Sequence, residues 1–164
     1  MPFEILHFRK SETILKEKDM EGDVNTTLSY IEQSLYGTIH RRELLREVLE
    51  EMGWRGNKES LNIIEKRRYQ YKGVKNDVAI EGNFSAYEFI LEGLFRLQVG
   101  FDKGMINAGI LLLTSQRSEN TPYGSTSKMA KEEIDMLYPT ISLPVSIALF
   151  DLGEPLIPDE KGGG

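Results

Sequence analysis

The 164-residue sequence contains no cysteine. This absence excludes disulfide bonds, thiolate metal sites and cysteine nucleophiles, and it fits a reducing compartment. Histidine is scarce as well, because His7 and His40 are the only two and stand far apart in the chain. We interpret each histidine as an ordinary surface residue rather than as a catalytic base.

Long apolar runs are also missing. No stretch approaches the roughly 20 apolar residues that a membrane-spanning helix needs. Residues 1–18 alternate charged residues with single hydrophobic ones, without the continuous apolar block of a secretory signal. The sequence contains neither a glycine-rich phosphate loop nor a Gly-x-Ser-x-Gly elbow. We therefore expect a cytoplasmic protein with no membrane partner.

Acidic residues outnumber basic ones, and the net charge of −6 argues mildly against a nucleic-acid partner. The charge is unevenly distributed, however. Residues 40–75 contain ten Lys/Arg and six Asp/Glu, a net charge of +4, whereas the rest of the chain carries −10. This distribution is compatible with a DNA-binding face in the middle of the chain. Ordinary variation of charge along a chain is the alternative explanation.

Hydrophobic periodicity predicts a chain of mixed helices and strands. The predicted helices cover 25–36, 40–52, 86–101 and 128–138, and the predicted strands cover 78–84, 106–114 and 143–150. The run Ile110–Leu113 is apolar without alternation, which is typical of a strand that is covered on both faces. An edge strand at Phe3–Phe8 and a loose arm to residue 22 precede these elements, and 115–127 reads as a loop. We expect one domain over residues 1–152, followed by a disordered tail over 153–164.

Three polar residues lie at the end of the predicted hairpin turn, residues 74–77, and along the strand after it. Asp77, Glu81 and Asn83 alternate along one strand and should therefore share a face. Carboxylates there could hold Mg²⁺, and the ion could activate water for attack on a phosphodiester. Four strand positions span about 13 Å, so only a bulge or tight turn could bring Asp77 to Glu81. Alternatively, Asp77 is a turn residue and Glu81 a solvated strand residue.

Four segments share their pattern with one known family. Val78–Glu81 is a strand that ends in an acid, and Leu94–Arg96 lies in the helix after it. Residues 104–110 lead from a glycine into the next strand, and Leu143–Val145 begins the last strand with a proline. Over residues 38–150 the chain thus resembles the PD-(D/E)XK nucleases, specifically restriction endonucleases of the BamHI and BglII type. The resemblance implies a three-layer α/β fold, with a central mixed sheet flanked by helices.

The resemblance also implies a function. It predicts a homodimeric endodeoxyribonuclease that hydrolyses double-stranded DNA with Mg²⁺, or with Mn²⁺. Glu81 would be the main metal ligand, Asp77 would assist it, and Asn83 would hold the attacking water where the family has a lysine. The family's first acidic ligand lies about nine or more residues before the glutamate, and residues 69–73 contain no acid there.

Basic residues near this motif are candidate phosphate contacts. They are Arg41, Arg42, Arg67, Arg68 and Lys72. A solvated helix face and a charged edge strand are the alternatives for these clusters.

The missing acid and lysine favour a second hypothesis, a nuclease-fold protein without a metal centre that binds DNA or another protein. A third hypothesis is a protein-interaction domain with no nucleic-acid role. The residues next to Glu81 distinguish the first two hypotheses. A second acid there predicts an enzyme, whereas a lysine or arginine paired with Glu81 predicts that the metal centre has been lost.

Overall fold

The structure is a computed structural model that describes residues 3–64, 69–85, 90–115 and 125–153, without the side chains of residues 83, 85, 125 and 126. Its strands are β1 (Phe3–Phe8), β2 (Asn62–Ile64), β3 (Tyr69–Gln70), β4 (Gly73–Lys75), β5 (Val78–Ser85), β6 (Ala108–Thr114) and β7 (Val145–Phe150). Its α-helices are α1 (Ser11–Glu17), α2 (Glu21–Leu35), α3 (Arg41–Glu51), α4 (Ile90–Asp102) and α5 (Ser125–Glu133). Short 3₁₀ helices cover Lys58–Leu61 and Asp135–Leu137.

A five-stranded mixed sheet has the strand order β1-β7-β6-β5-β4. Strands β5, β6 and β7 run parallel, whereas β1 and β4 pair antiparallel at the two edges. Strands β2 and β3 form a separate antiparallel pair. The predicted α/β fold with a central mixed sheet is confirmed.

Helices cover both faces of this sheet. On one face, Leu28 of α2 and Leu45 of α3 belong to the same buried cluster as Ile80 and Ile110. On the other face, Leu94 of α4 packs in a second cluster with residues of β5, β6 and β7. Strand β6 is buried along nearly its whole length, as the unbroken apolar run Ile110–Leu113 predicts.

The N-terminal segment differs from its predicted form. The edge strand at Phe3–Phe8 is confirmed, since it pairs with β7 from Phe3↔Phe150 to Phe8↔Val145. The loose arm is wrong, because Ser11–Glu17 forms a helix and both Leu15 and Met20 are buried. A helix of two turns holds too few apolar positions for a periodic pattern to be visible in the sequence.

The hairpin of β4 and β5 fixes where Glu81 lies. Its turn consists of Asn76 and Asp77, with φ of 50° and 63°, between the paired residues Lys75 and Val78. Two central residues with positive φ are typical of a tight two-residue hairpin. The predicted turn is therefore confirmed at Asn76 and Asp77, whereas residues 74 and 75 belong to β4.

A bulge follows Glu81 directly. The pairing of β5 with β6 shifts register between Glu81 and Ser85. Gly82 has φ 118°, and a Cβ there would overlap the backbone of Leu112. Because only glycine fits this approach, the bulge ends the regular part of β5 at Glu81.

Some predictions fall on other parts of the chain. Residues 116–124 of the predicted loop and residues 154–164 of the predicted tail lie outside the described residues. In the ranges that the structure does describe, no helix is long and apolar enough to cross a membrane.

Candidate functional site

Glu81 is a buried carboxylate, with only 7% of its side chain exposed. Its Oε2 accepts a hydrogen bond from Nε of Arg96 at 3.0 Å. Its Oε1 is buried and has no hydrogen-bond partner among the described residues. The interpretation of Glu81 as a solvated strand residue is therefore wrong, because Arg96 of α4 closes over it.

Three separate contacts hold Arg96 in place. Besides Glu81, its guanidinium donates through Nη2 to the carbonyl of Gln70 at 2.6 Å. The guanidinium also lies over the ring of Tyr69, 5.4 Å from the ring centroid. These contacts fix the orientation of the guanidinium, and the side chain is only 19% exposed, so Arg96 is a preorganised cation.

Lys72 brings a second positive charge to Glu81. It directly precedes β4, where its backbone nitrogen donates to the carbonyl of Ile80 at 3.0 Å. Burial lowers the pKa of Lys72, the charge of Glu81 opposes this, and neighbouring arginines lower it further. Lys72 thus lies among charges of both signs, with the positive ones in excess.

Burial dominates the electrostatics of Glu81 itself. It raises the pKa of the Glu81 carboxyl above the ordinary value, against the opposing charges of Arg96 and Lys72. Removing a carboxylate from water disfavours its charged form. Two nearby cations therefore compensate the burial of Glu81 only in part.

A cleft of about 300 Å³ opens beside this pair. Its apolar lining includes Leu45 and Leu49 of α3. Five cationic side chains also line it: Arg42, Arg46, Arg55, Lys72 and Arg96. We call this feature the basic cleft. It concentrates positive charge on a protein whose net charge is −6.

Glu50 balances part of this charge at the rim of the cleft. Its Oε2 lies 3.7 Å from Nε of Arg46, 3.7 Å from Nε of Arg55 and 3.4 Å from Nζ of Lys58. Among the described residues, no carboxylate forms such an ion pair with Arg42 or Lys72. These two side chains therefore remain available to an anion from solution.

The structure does not bring Asp77 to Glu81. Asp77 is exposed in the hairpin turn, and its carbonyl accepts a hydrogen bond from Asn107 at 2.7 Å. The four strand positions between the two residues correspond to about 13 Å, and the bulge lies beyond Glu81 rather than between them. The structure gives Asp77 a turn position, and its predicted role as a metal ligand stays a prediction.

Other predicted site residues are placed only in part. Asn83 belongs to β5, but its side chain lies outside the described part of the chain, as do Arg67 and Arg68 altogether. Arg41 donates to the carbonyl of Gly153 at 3.3 Å and borders a small neighbouring pocket of about 110 Å³.

The sequence interpretation did not identify Arg55 or Arg96 as site residues. Arg55 is 10% exposed and donates to the carbonyl of Lys72 at 2.8 Å. One signal for Arg96 was available, because it is the only cation in helix α4 and lies between the apolar residues Leu94 and Leu97. A cation that is largely buried among such residues requires a partner of opposite sign.

A divalent metal ion does not fit the described residues at Glu81. Mg²⁺ needs several oxygen ligands in a nearly octahedral arrangement. Within the described ranges, no three acidic or histidine side chains come together as a metal-binding group. Glu81 offers one oxygen that has no partner among these residues, and its charged neighbours Arg96 and Lys72 repel a further cation.

Comparisons with known proteins match nearly the whole chain. The family model described as Restriction endonuclease BglII/BglIII matches residues 3–149. A crystal structure of restriction endonuclease BglII complexed with a DNA 16-mer aligns with a TM-score of 0.62 and 17% identity, over 92% of this chain and 76% of that one. Free BglII aligns with a TM-score of 0.59 and 16% identity, over 92% and 80% of the two chains. No curated protein matches the sequence.

Proposed function

The chain belongs to the restriction endonuclease BglII/BglIII family, and we propose that it binds duplex DNA by holding the sugar-phosphate backbone in the basic cleft. The family and the fold suggest a nuclease, and one structural neighbour is complexed with DNA. The observation that carries the proposal is the convergence of five cations on one cleft of an acidic protein.

The chemistry of the cleft suits a phosphodiester. Arginine offers a planar fork of donors that matches phosphate oxygens, and lysine adds a compact point charge. Arg42 and Lys72 have no described carboxylate as an ion-pair partner, and Arg96 is already oriented by Gln70 and Tyr69. Such cations fix the position of a DNA backbone without reading its sequence.

Salt-dependent binding of a fluorescently labelled duplex tests this proposal. The double variant Arg42→Ala/Lys72→Ala should weaken binding about tenfold or more and flatten the slope of log K against log salt by about 1.8, for two lost phosphate contacts. The exposed Lys131→Ala on α5 is the matched control for lost charge. Equal affinity and equal slope in the double variant and the wild type would remove the cleft as the DNA site.

Hydrolysis of the phosphodiester is the second candidate function. Family membership favours it, and so does the buried Oε1 of Glu81, which has no partner in the described structure. In this candidate, Mg²⁺ or Mn²⁺ is the cofactor, Glu81 its main ligand, Asp77 an assisting ligand and Asn83 the residue that positions water.

A nicking assay on supercoiled plasmid with Mg²⁺ or Mn²⁺ tests this second candidate. Activity that Glu81→Ala abolishes supports hydrolysis at this site. If the folded wild type leaves the plasmid intact while it binds duplex DNA, the second candidate is removed and the first stands.

Assembly and location complete the proposal. Cutting both strands of a duplex requires two active sites, so the hydrolytic candidate includes a homodimer. Its proposed location is the cytoplasm. Light scattering on the purified protein measures its mass in solution, and a monomeric mass at micromolar concentration would contradict the dimer.

A further inference from the structure

We propose that Arg96 and Lys72 are built-in cations that take the place of a divalent ion at Glu81 and hold a DNA phosphate there. The phosphate part of this inference rests on the proposed DNA binding, whereas the exclusion of the metal ion does not. Both parts start from the same observation: among the described residues, Arg96 pairs with the Glu81 carboxylate, and Lys72 lines the cleft beside this pair.

The first step of the argument is the position of Arg96. A metal ion at Glu81 would need an oxygen of the carboxylate, and Oε2 is already bonded to Nε of Arg96 at 3.0 Å. Arg96 is also held by the carbonyl of Gln70 and by the ring of Tyr69. Displacing Arg96 would break its hydrogen bonds to the Glu81 carboxylate and to the Gln70 carbonyl. Arg96 is therefore a fixed part of the site.

Lys72 supplies the second step. Its side chain lines the same cleft as Arg96, and its backbone nitrogen donates to the carbonyl of Ile80, the residue before Glu81. Together Glu81, Arg96 and Lys72 carry one negative and two positive charges. A divalent cation would add to this positive excess, whereas a phosphodiester, with one negative charge, would neutralise it.

Glu81 then has a positioning role in this site. It orients the guanidinium of Arg96 within the basic cleft, and it does not need to contact the DNA. In a hydrolytic site, Glu81 would bind a metal ion. Here it binds Arg96, whose guanidinium donates hydrogen bonds to phosphate. An acid in place of Lys72 would reverse the sign of the net charge that these three residues carry.

Mn²⁺ binding to the free protein tests the metal exclusion without DNA, by electron paramagnetic resonance. The wild type should show no stoichiometric Mn²⁺ site. The double variant Lys72→Asp/Arg96→Gln has two carboxylates at the site. It should bind one Mn²⁺ at least tenfold more tightly than the wild type binds the ion. Lys131→Asp, an equal change of charge on α5, should gain no site. Circular dichroism establishes that each variant is folded, and Lys72→Asp alone serves if the double variant is not.

Two results would overturn the metal exclusion. One is a single Mn²⁺ site in the wild type that Glu81→Gln removes. The other is a folded double variant, or a folded Lys72→Asp in its place, that still binds no Mn²⁺, because the two cations would then not be what excludes the ion.

Duplex binding at constant ionic strength tests the phosphate part. The wild type should bind DNA equally well in EDTA and not more tightly in Ca²⁺. A tenfold gain in Ca²⁺ that Glu81→Gln abolishes would overturn this part. If no DNA binding is found but the Mn²⁺ results are as expected, the proposed function fails while the metal exclusion holds.

Discussion

Two carboxylates beside the basic cleft, Glu81 and Glu50, are both surrounded by cations but differ in exposure. The side chain of Glu81 is 7% exposed, and that of Glu50 is 45% exposed. Water and salt screen the ion pairs of Glu50, so each contributes little to stability. Glu81 lacks this screening, and its pairing with Arg96 determines whether a buried charge is tolerated. The burial of a carboxylate, rather than the number of cations near it, therefore determines how strongly its ion pairs affect stability.

The largest expected difference between the two carboxylates is in the loss of stability when one ion pair of each is broken. Arg96→Met leaves Glu81 buried without its hydrogen-bonded partner and should lower the free energy of unfolding by about 3 kcal/mol. Arg46→Met removes one of the three cations at Glu50 and should change it by less than about 0.5 kcal/mol. Urea denaturation monitored by circular dichroism measures both. Equal losses in the two variants would contradict the contrast.

Neutralising each carboxylate should separate the two sites in DNA affinity. Glu81→Gln removes a buried negative charge beside the basic cleft and should tighten duplex binding about fivefold, or about 1 kcal/mol. Glu50→Gln acts through solvent at the rim, and its gain should be smaller. Fluorescence anisotropy at fixed salt measures both affinities. Weaker binding by Glu81→Gln, in a folded protein, would instead show that the orientation of Arg96 matters more than the removed charge.

The smallest expected effect is a difference in pH dependence. Burial raises the pKa of Glu81 in the folded state above its ordinary value, so the folded protein holds this proton more tightly than the unfolded chain. The stability that protonation confers is present below the ordinary pKa of 4.5 and is lost as the pH rises through the folded-state value. Glu81→Gln should therefore gain stability relative to the wild type as the pH rises through this window.

Glu50→Gln is the control for this pH series. It removes a carboxylate that is exposed to water and salt, and so reports the effect of losing an acidic side chain without burial. Urea denaturation at a series of pH values measures both variants against the wild type. A Glu81→Gln variant that loses stability relative to the wild type as the pH rises would contradict the raised pKa.

Much of the fold could be predicted from local patterns. The run Ile110–Leu113 predicted a strand that is covered on both faces, and the stretch 74–77 predicted a turn before β5, which the structure places at Asn76 and Asp77. Helix α1 could not be predicted in this way, because a helix of two turns depends on the core that Leu15 joins. Local spacing fixes long elements, whereas tertiary packing decides short ones.

The site was less predictable than the fold. Alternation correctly placed Glu81 on a strand, but its burial depends on Arg96, which lies fifteen positions further along the chain. The pairing of Arg96 with the carbonyl of Gln70 is likewise a contact between distant segments. Sequence spacing could not show that the carboxylate would meet cations rather than a second acid.

The resonance of the Arg96 Nε–H group gives the most direct test of whether this site binds an anion or a metal ion. In a nitrogen-15 spectrum of the full chain, a short duplex should shift this resonance, whereas sub-stoichiometric Mn²⁺ should not broaden it more than other arginine signals. Selective broadening by Mn²⁺, with no shift on addition of DNA, would contradict the account and identify Glu81 as a metal ligand.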